Sequence, residues 1–340
     1  MVDVIDPKPL TKKDYASDQE VRWCPGCGDY AILNAVQKFF ADTGRDRANT
    51  VFVSGIGCSS RFPYYMETYG FHTIHGRAAA VATGLKVANP GLEVWMVTGD
   101  GDALSIGGNH TAHLLRRNLD LNVLLFNNEI YGLTKGQYSP TSPIGTVKKS
   151  TPMGSVDRPF EPVQFALGAQ ATFVARTIDN DQAHMAKVLE AAAAHKGTSL
   201  VEILQNCVIF NKDFYSADVD KQVRADRTID LVPGRKLVYG KDGQLGLRFR
   251  LSAEQGFRVE RCAAAEADVW NPAQPSASAA FLLAGMHADP ELPLPVGIFR
   301  AVAAPCYEDG VNAQVTDAIA KRKPGVLRDL VYAGEIWTVG

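Results

Sequence analysis

The sequence has no long apolar run and no excess of charge of one sign. No apolar stretch approaches the roughly 18 residues that predict a membrane-spanning helix. The 35 basic and 37 acidic residues leave a net charge of −2, which argues against a nucleic acid or a membrane surface as partner. The N-terminal residues also lack the apolar core of a signal peptide. With 46% hydrophobic residues, the chain is expected to be globular and cytoplasmic.

Cysteine is sparse, at six residues, and the one CxxC motif is formed by Cys24 and Cys27. In a cytoplasmic protein such cysteines are more often ligands or reactive thiols than disulfides. A thioredoxin-like redox pair is one interpretation, but that motif follows a strand and this one follows a polar N-terminal segment. A zinc site needs more ligands, and there is no second CxxC. A [4Fe–4S] cluster also takes four thiolates, which this pair and two distant cysteines would supply.

The clearest pattern is a βαβ unit with polar residues where both strands end. An apolar strand, 94–97, runs into Gly-Asp-Gly at 99–101. A helix is predicted over 104–117, and a second apolar strand, 122–126, runs into Asn-Asn at 127–128. In open parallel sheets, ligands bind at the carboxyl ends of the strands. The unit therefore predicts a ligand site.

The polar residues of this unit suit a hard cation. Asp100 offers a carboxylate oxygen and Asn128 an amide oxygen, and the turn that follows adds a main-chain carbonyl, most simply that of Ile130. Oxygen ligands of this kind are typical of Mg²⁺, which often shares phosphate oxygens of its partner ligand. A glycine-rich turn in an ordinary doubly wound domain is the alternative.

A second glycine-rich loop, residues 55–61, follows the predicted strand 50–54 and contains Cys58. Loops of this kind hold phosphate groups through free backbone N–H groups. Free cysteine is usually buried, so a cysteine at the tip of a polar glycine loop fits a core role poorly. If the loop contacts a diphosphate, a metal centre bound by Cys58 lies next to that cofactor.

Together these motifs resemble one known family. The Gly-Asp-Gly to Asn-Asn unit is similar to the fingerprint for thiamin diphosphate (ThDP) and Mg²⁺. With the cysteines and the stretch GIGCSSRFPYYMETYGFHTIHGRAAAVATG, residues 22–210 resemble the β subunit of 2-oxoacid:ferredoxin oxidoreductases, in particular the 2-oxoglutarate type.

The resemblance implies a site residue by residue. It implies Mg²⁺ held by Asp100, Asn128 and the carbonyl of Ile130, and a [4Fe–4S] cluster held by Cys24, Cys27, Cys58 and Cys207. The cofactor contacts it implies are Ile56, Gly57, Cys58, Ser59, His75, Gly101, Asp102, Gly132 and Leu133. His75 is also assigned a catalytic role; otherwise it only begins a helix. Cys262 and Cys306 match nothing in the motif and are interpreted as ordinary thiols.

Lys135 is a cation in the loop beside the expected reacting centre. A 2-oxo acid carries a carboxylate that a lysine would orient, so Lys135 is predicted to contact substrate. A solvated loop lysine is the alternative.

The predicted fold is α/β, with a doubly wound parallel sheet of the ThDP-binding type and a C-terminal arm. Five strands are expected, at 50–54, 94–97, 122–126, 171–176 and 199–204, with further helices at 30–41, 78–88 and 182–195. The chain is divided into an N-terminal arm (1–21), a binding domain (22–210) and a C-terminal arm (211–340) that packs on the domain or on a partner.

The implied reaction is the coenzyme A-dependent oxidative decarboxylation of a 2-oxo acid, with electrons passing to ferredoxin, or its reductive, CO₂-fixing reverse. The resemblance also implies a separate α subunit, in an α₂β₂ assembly, because the chain has residues for only one of the two domains that ThDP enzymes use. A pyruvate or broad-range oxidoreductase would share most of these residues. A non-redox ThDP decarboxylase or synthase, or an iron–sulfur electron-transfer subunit, are alternatives of other classes.

Overall fold

The structure of the chain, a computed structural model, describes residues 9–322 and 325–340. Its strands, in chain order, are β1 (Thr50–Ser54), β2 (Tyr69–His72), β3 (Glu93–Gly99), β4 (Leu121–Asn127), β5 (Ile130–Tyr131), β6 (Gln137–Tyr138), β7 (Phe173–Ile178), β8 (Thr198–Leu204), β9 (Thr228–Leu231), β10 (Val238–Tyr239), β11 (Leu245–Ser252), β12 (Gly256–Ala263) and β13 (Leu294–Ala301).

The helices alternate with these strands over most of the chain. They are α1 (Gly28–Thr43), α2 (Ala78–Ala88), α3 (Gly108–Arg117), α4 (Pro162–Gly168), α5 (Gln182–Ala194), α6 (Ser216–Val219), α7 (Arg224–Arg227), α8 (Ser278–Ala284), α9 (Tyr307–Arg322) and α10 (Leu327–Val331). A π-helical segment, Asp102–Ile106, joins β3 to α3. In the described part of the chain, no helix is long and apolar enough to cross a membrane.

The central sheet has eight strands in the order β2-β1-β3-β4-β8-β7-β13-β9. The pairs from β2 to β7 are all parallel. Strand β13 runs antiparallel to β7 and parallel to β9. Strands β10 to β12 form a separate antiparallel sheet. The prediction of an α/β, doubly wound, mainly parallel fold is confirmed.

The inner strands of the central sheet, such as β3, β4 and β8, are buried on both faces. Successive side chains of a strand point to opposite sides of the sheet, and each side is covered by a layer of helices. In β3, Met96 packs into the core cluster on one face, with helices α2 and α3, and Trp95 packs into the cluster on the other face, with α1 and α5. In β4, Val123 and Leu124 are divided in the same way. Continuous apolar runs such as that of β4 are therefore stable only between two layers of helices.

Each of the five strands predicted from sequence is present, with ends that differ by at most a few residues. The helix expected over 104–117 is split, since the π-helical segment precedes α3. Strands β2, β9 and β13 were missed. Strand β2 is short and exposed, and β13 carries Pro295 and Gly297, which weaken a strand pattern.

The segment after residue 210 was predicted to be an arm that packs on the domain or on a partner. It supplies β9 and β13 to the central sheet, so the count of five strands was too low. Pro295 lies within β13, whose ladder includes a β-bulge beside Arg300. The division of the chain at residues 21 and 210 stays a prediction.

Candidate functional site

The loops that follow β1, β3, β4 and β8 meet at one edge of the sheet, because these strands are parallel neighbours. Every residue predicted to contact ThDP or Mg²⁺ lines a single cavity at this edge. These residues are Ile56, Gly57, Cys58, Ser59, His75, Asp100, Gly101, Asp102, Asn128, Ile130, Gly132 and Leu133. Sequence reasoning therefore selected residues that the fold brings together. Their individual roles stay proposals.

The Asp102 carboxylate is buried and fixes three of these loops. Its Oδ1 accepts hydrogen bonds from the Ile56 N–H (3.0 Å) and the Gly76 N–H (2.7 Å), and lies 2.6 Å from His75 Nδ1. Its Oδ2 accepts a hydrogen bond from the Thr98 hydroxyl (2.7 Å). In the structure both of its oxygens accept hydrogen bonds from the protein, while Asp102 also lines the cavity, and its predicted contact with the cofactor stays a prediction. Asp102 braces the cavity.

This contact also orients His75. A carboxylate accepts, so the imidazole carries its hydrogen on Nδ1, and Nε2 is the ring atom left for other contacts. The side chain of His75 is 38% exposed and lines the cavity. A ligand in the cavity can therefore reach His75 Nε2.

Asp100 is held by hydroxyl groups from a distant loop. Its Oδ2 accepts hydrogen bonds from the Ser139 Oγ (2.5 Å) and the Thr141 Oγ1 (2.6 Å). Burial raises the pKa of the Asp100 carboxyl to about 6, although these hydrogen bonds oppose the shift. A buried carboxylate is costly unless it is paired, and a bound cation would stabilise its charged form.

Asn128 is tied to the strand on its other side. Its Nδ2 donates to Gln205 Oε1 (2.7 Å), and its Oδ1 accepts from the Ile130 N–H (3.2 Å). The carboxylate of Asp100, the amide of Asn128 and the Ile130 residue thus reach one cavity from the ends of adjacent strands. Hard oxygen donors beside a polar glycine loop fit Mg²⁺ with a diphosphate.

The four predicted cluster ligands, Cys24, Cys27, Cys58 and Cys207, line a second cavity. A side chain at Gly132 would place its Cβ 3.6 Å from the Sγ atoms of both Cys58 and Cys207, so both sulfurs lie close to the same point. Cys262 lies on β12 and Cys306 directly before α9, apart from this group. The four cysteines assigned to the cluster thus line one cavity, and their role as its ligands stays a prediction.

Burial makes two thiols of the second cavity, those of Cys27 and Cys58, poor acids. The pKa of the Cys58 thiol is raised to about 12 and that of Cys27 is raised further, in both cases mainly by burial. Metal coordination removes such protons outright. Over residues 9–322 and 325–340, no group of three or more His, Cys, Asp or Glu side chains stands close enough for a single metal ion. A four-iron cluster binds each thiolate to a different iron, so it fits more widely spaced sulfurs.

The two cavities are neighbours. Cys58, Asn128, Gly132 and Leu133 line both of them. Lys135 lines the cysteine cavity and is absent from the lining of the other. Its side chain is exposed, and its backbone has φ of 75° in a turn closed by the Gly132 carbonyl (3.0 Å). Lys135 therefore lies on the side of the cysteines, and its contact with substrate stays a prediction.

Sequence reasoning missed the residues that support the ligands. Ser139 and Thr141 lie between β6 and α4, outside every motif identified in the sequence, and Gln205 follows β8 with no motif around it. The one available signal was the pair of hydroxyl residues around Pro140, because such residues form turns with defined hydrogen bonds. Their contact to Asp100 depends on tertiary structure.

Comparison with known proteins agrees with this geometry. Residues 55–203 match the family model described as thiamine pyrophosphate enzyme, C-terminal TPP binding domain. The chain is 51% identical over 339 residues, 98% of its length, to the 2-oxoglutarate oxidoreductase subunit KorB of Mycobacterium tuberculosis, of which the match covers 89%. It is 50% identical over 199 residues to 2-oxoacid:ferredoxin oxidoreductase 1, subunit beta, of Aeropyrum pernix, covering 58% of this chain and 62% of that one.

A solved structure extends the likeness to the whole fold. The 2-oxoglutarate:ferredoxin oxidoreductase from Magnetococcus marinus, with 2-oxoglutarate, coenzyme A and succinyl-CoA bound, superimposes with a TM-score of 0.75 at 32% identity. The match covers 97% of both chains. On this evidence the chain belongs to the 2-oxoacid:ferredoxin oxidoreductase family, among β subunits similar to those of the 2-oxoglutarate type.

Proposed function

We propose that the chain is the β subunit of a cytoplasmic 2-oxoglutarate:ferredoxin oxidoreductase. In the oxidative direction, 2-oxoglutarate and coenzyme A give succinyl-CoA, CO₂, a proton and two electrons, which pass to ferredoxin; the reductive direction reverses this. The observation that carries the proposal is the shared wall of Cys58, Asn128, Gly132 and Leu133 between the two cavities. A cofactor site that abuts a cysteine site suits decarboxylation linked to electron transfer.

In the first cavity, Asp100, Asn128 and the Ile130 carbonyl would hold Mg²⁺, and the loop from Ile56 to Ser59 would hold the diphosphate. ThDP, when bound, supplies a carbon nucleophile for the 2-oxo group and holds the electrons left by CO₂. The chain itself orients these groups, since the Asp102 carboxylate fixes the loops and the His75 ring.

In the second cavity, Cys24, Cys27, Cys58 and Cys207 would hold one [4Fe–4S] cluster. Such a cluster takes electrons singly, so it would divide the two-electron oxidation into two transfers towards ferredoxin. The cluster, its ligands and ferredoxin as acceptor belong to the proposal.

A carboxylate is also needed against the aminopyrimidine ring, so that the ring can take the proton from the thiazolium. Among the described residues, the two carboxylates that line the first cavity are those of Asp100, which is assigned to Mg²⁺, and Asp102, which is bonded to the loops. Glu129 is nearly buried, its hydrogen-bond partner is the Tyr215 hydroxyl (3.3 Å), and it lines a different cavity behind the metal loop. Burial raises the pKa of Glu129 to about 8. We propose that an α subunit donates the missing carboxylate, in an α₂β₂ assembly.

The two-chain active site is tested by expressing the β subunit alone and with its α subunit. The pair is expected to reduce a viologen dye with 2-oxoglutarate and coenzyme A, and the lone chain to show no turnover. Comparing 2-oxoglutarate with pyruvate in the same assay separates the 2-oxoglutarate enzyme from a pyruvate or broad-range one. Turnover without coenzyme A or dye would instead indicate a non-redox ThDP enzyme.

Replacing Asp100 with Ala should remove an anionic ligand of Mg²⁺. Substituting a residue that only hydrogen-bonds to a metal ligand costs about 10–100-fold in metal affinity. Loss of a ligand itself should cost more, so we expect the Kd for Mg²⁺ with ThDP to rise by more than about 100-fold. Calorimetric titration of the dialysed αβ enzyme measures this. Asp120→Ala, in the loop before β4 and remote from the cavity, is the control and should bind as the parent does. Equal affinity in Asp100→Ala would refute the ligand assignment.

Serine in place of each cysteine tests the cluster. The four variants at Cys24, Cys27, Cys58 and Cys207 should lose most of their iron, sulfide and brown absorbance, since a serine hydroxyl is a poor ligand for this cluster. Cys262→Ser and Cys306→Ser are the matched controls and should keep the parent's iron content. Loss of iron in a control, with iron retained in Cys207→Ser, would show that the fourth ligand is misassigned.

Lys135→Ala tests the proposed substrate contact. Removing the ammonium should raise the KM for 2-oxoglutarate about tenfold or more, with little effect on the KM for coenzyme A, because a charge-assisted hydrogen bond is worth roughly 1.5–3 kcal/mol. Lys149→Ala, in the neighbouring loop, is the control. Equal changes in both KM values, or none, would favour a solvated lysine.

A further inference from the structure

Gln205 is a buried glutamine that lines the cysteine cavity and is hydrogen-bonded to Asn128, a residue of both cavities. It follows β8, is 1% exposed, and its backbone N–H is bonded to the Asn127 carbonyl (2.9 Å). Its Oε1 accepts a hydrogen bond from Asn128 Nδ2 (2.7 Å). Its Nε2 donates to the Asn206 carbonyl (2.7 Å) and to Cys27 Sγ (3.2 Å). One carboxamide therefore joins a proposed Mg²⁺ ligand to a proposed cluster ligand.

Backbone groups fix the direction of this chain of hydrogen bonds. At one end, the Ile130 N–H can only donate, so the Asn128 atom that faces it is Oδ1 (3.2 Å). At the other end, the Asn206 carbonyl can only accept, so the Gln205 atom that faces it is Nε2. Neither amide can be flipped without placing two donors or two acceptors in contact.

For the metal site, the consequence is that Asn128 presents oxygen. Its nitrogen is committed to Gln205, and an amide oxygen has two lone pairs, of which the Ile130 N–H takes one. The second lone pair remains for a cation. Without the Gln205 acceptor, only the 3.2 Å contact from the Ile130 N–H would hold the Asn128 amide in this orientation.

For the cysteine site, the consequence is an N–H group directed at a sulfur. The reduced form of a cluster carries one more negative charge than the oxidised form, so a hydrogen bond to its thiolate stabilises the reduced form and raises the reduction potential. The contact lies in a buried position, where an amide dipole acts more strongly than in water.

We infer that Gln205 is a positioning residue for both centres: together with the Ile130 N–H it holds the Asn128 amide with an oxygen lone pair free for Mg²⁺, and it raises the cluster potential through its N–H···S contact to Cys27. This rests on the proposed function, which supplies the two groups. Gln205 touches neither substrate nor ThDP in this role, and no titration of a protein group is required.

The test compares three variants of the αβ holoenzyme. Gln205→Leu keeps the size of the side chain and removes both the donor and the acceptor. Gln205→Glu keeps an acceptor for Asn128. Gln37→Leu is the matched control, because Gln37 is also a buried glutamine, bonded to the Tyr65 carbonyl (3.0 Å). The readouts are the cluster potential, from a redox titration followed by electron paramagnetic resonance, and the Mg²⁺ affinity in the presence of ThDP, from calorimetry.

Gln205→Leu should lower the cluster potential and weaken Mg²⁺ binding about tenfold or more, as changes to residues behind a metal ligand do. Gln205→Glu should keep Mg²⁺ affinity within about threefold of the parent. The cluster potential of Gln205→Glu should fall with rising pH more steeply than that of the parent. In this variant the carboxyl O–H replaces the amide N–H as the donor to Cys27, and that hydrogen is lost when the carboxyl group ionises. Gln37→Leu should match the parent in both readouts.

A potential in Gln205→Leu equal to that of Gln37→Leu, or an unchanged Mg²⁺ affinity, would overturn the inference. A holoenzyme that carries no iron before any substitution would instead overturn the proposed cluster, and the sulfur contact with it. Iron present with an unchanged potential refutes the role of Gln205 alone, so the two failures are distinguishable.

Discussion

The Asp102 carboxylate is the contact on which the cofactor cavity depends. It joins the loop after β1, the turn before α2 and the end of β3, through four hydrogen bonds to backbone and side-chain donors. The approach is so close that a Cβ at Gly55 would lie 1.9 Å from Asp102 Oδ2. Strand order brings these loops to one edge, but this one buried anion fixes how they face each other.

Supporting contacts of the same kind continue behind the metal loop. Arg176 Nε donates to Glu202 Oε2 (2.6 Å), and Glu202 Oε1 accepts from Asn127 Nδ2 (2.7 Å). These charges lie deep in the fold, where an ion pair persists only with its remaining hydrogen bonds satisfied. The two asparagines at the end of β4 therefore have different roles: Asn127 is hydrogen-bonded to this network, and Asn128 lines the cofactor cavity.

The sequence was informative wherever a local pattern carried the structure. The βαβ unit around Asp100 and Asn128 could be predicted because glycines, apolar strands and strand ends are properties of adjacent residues. The supporting set could not: Ser139, Thr141 and Gln205 act through side chains that meet ligands distant in the chain. The added strands β9 and β13 were missed because a short edge strand, and one containing Pro295 and Gly297, do not show the pattern of a buried strand.

Gly132 lies between the two cavities and lines both of them. Because glycine has no side chain, only its backbone stands between the two sites at this point. For electron transfer, the thickness of that partition sets the rate, because tunnelling between centres decays exponentially with the gap that separates them. A bulkier residue would widen the gap and also push against the sulfurs of Cys58 and Cys207. With so thin a partition, the proposed passage of electrons between the two sites would need no moving part.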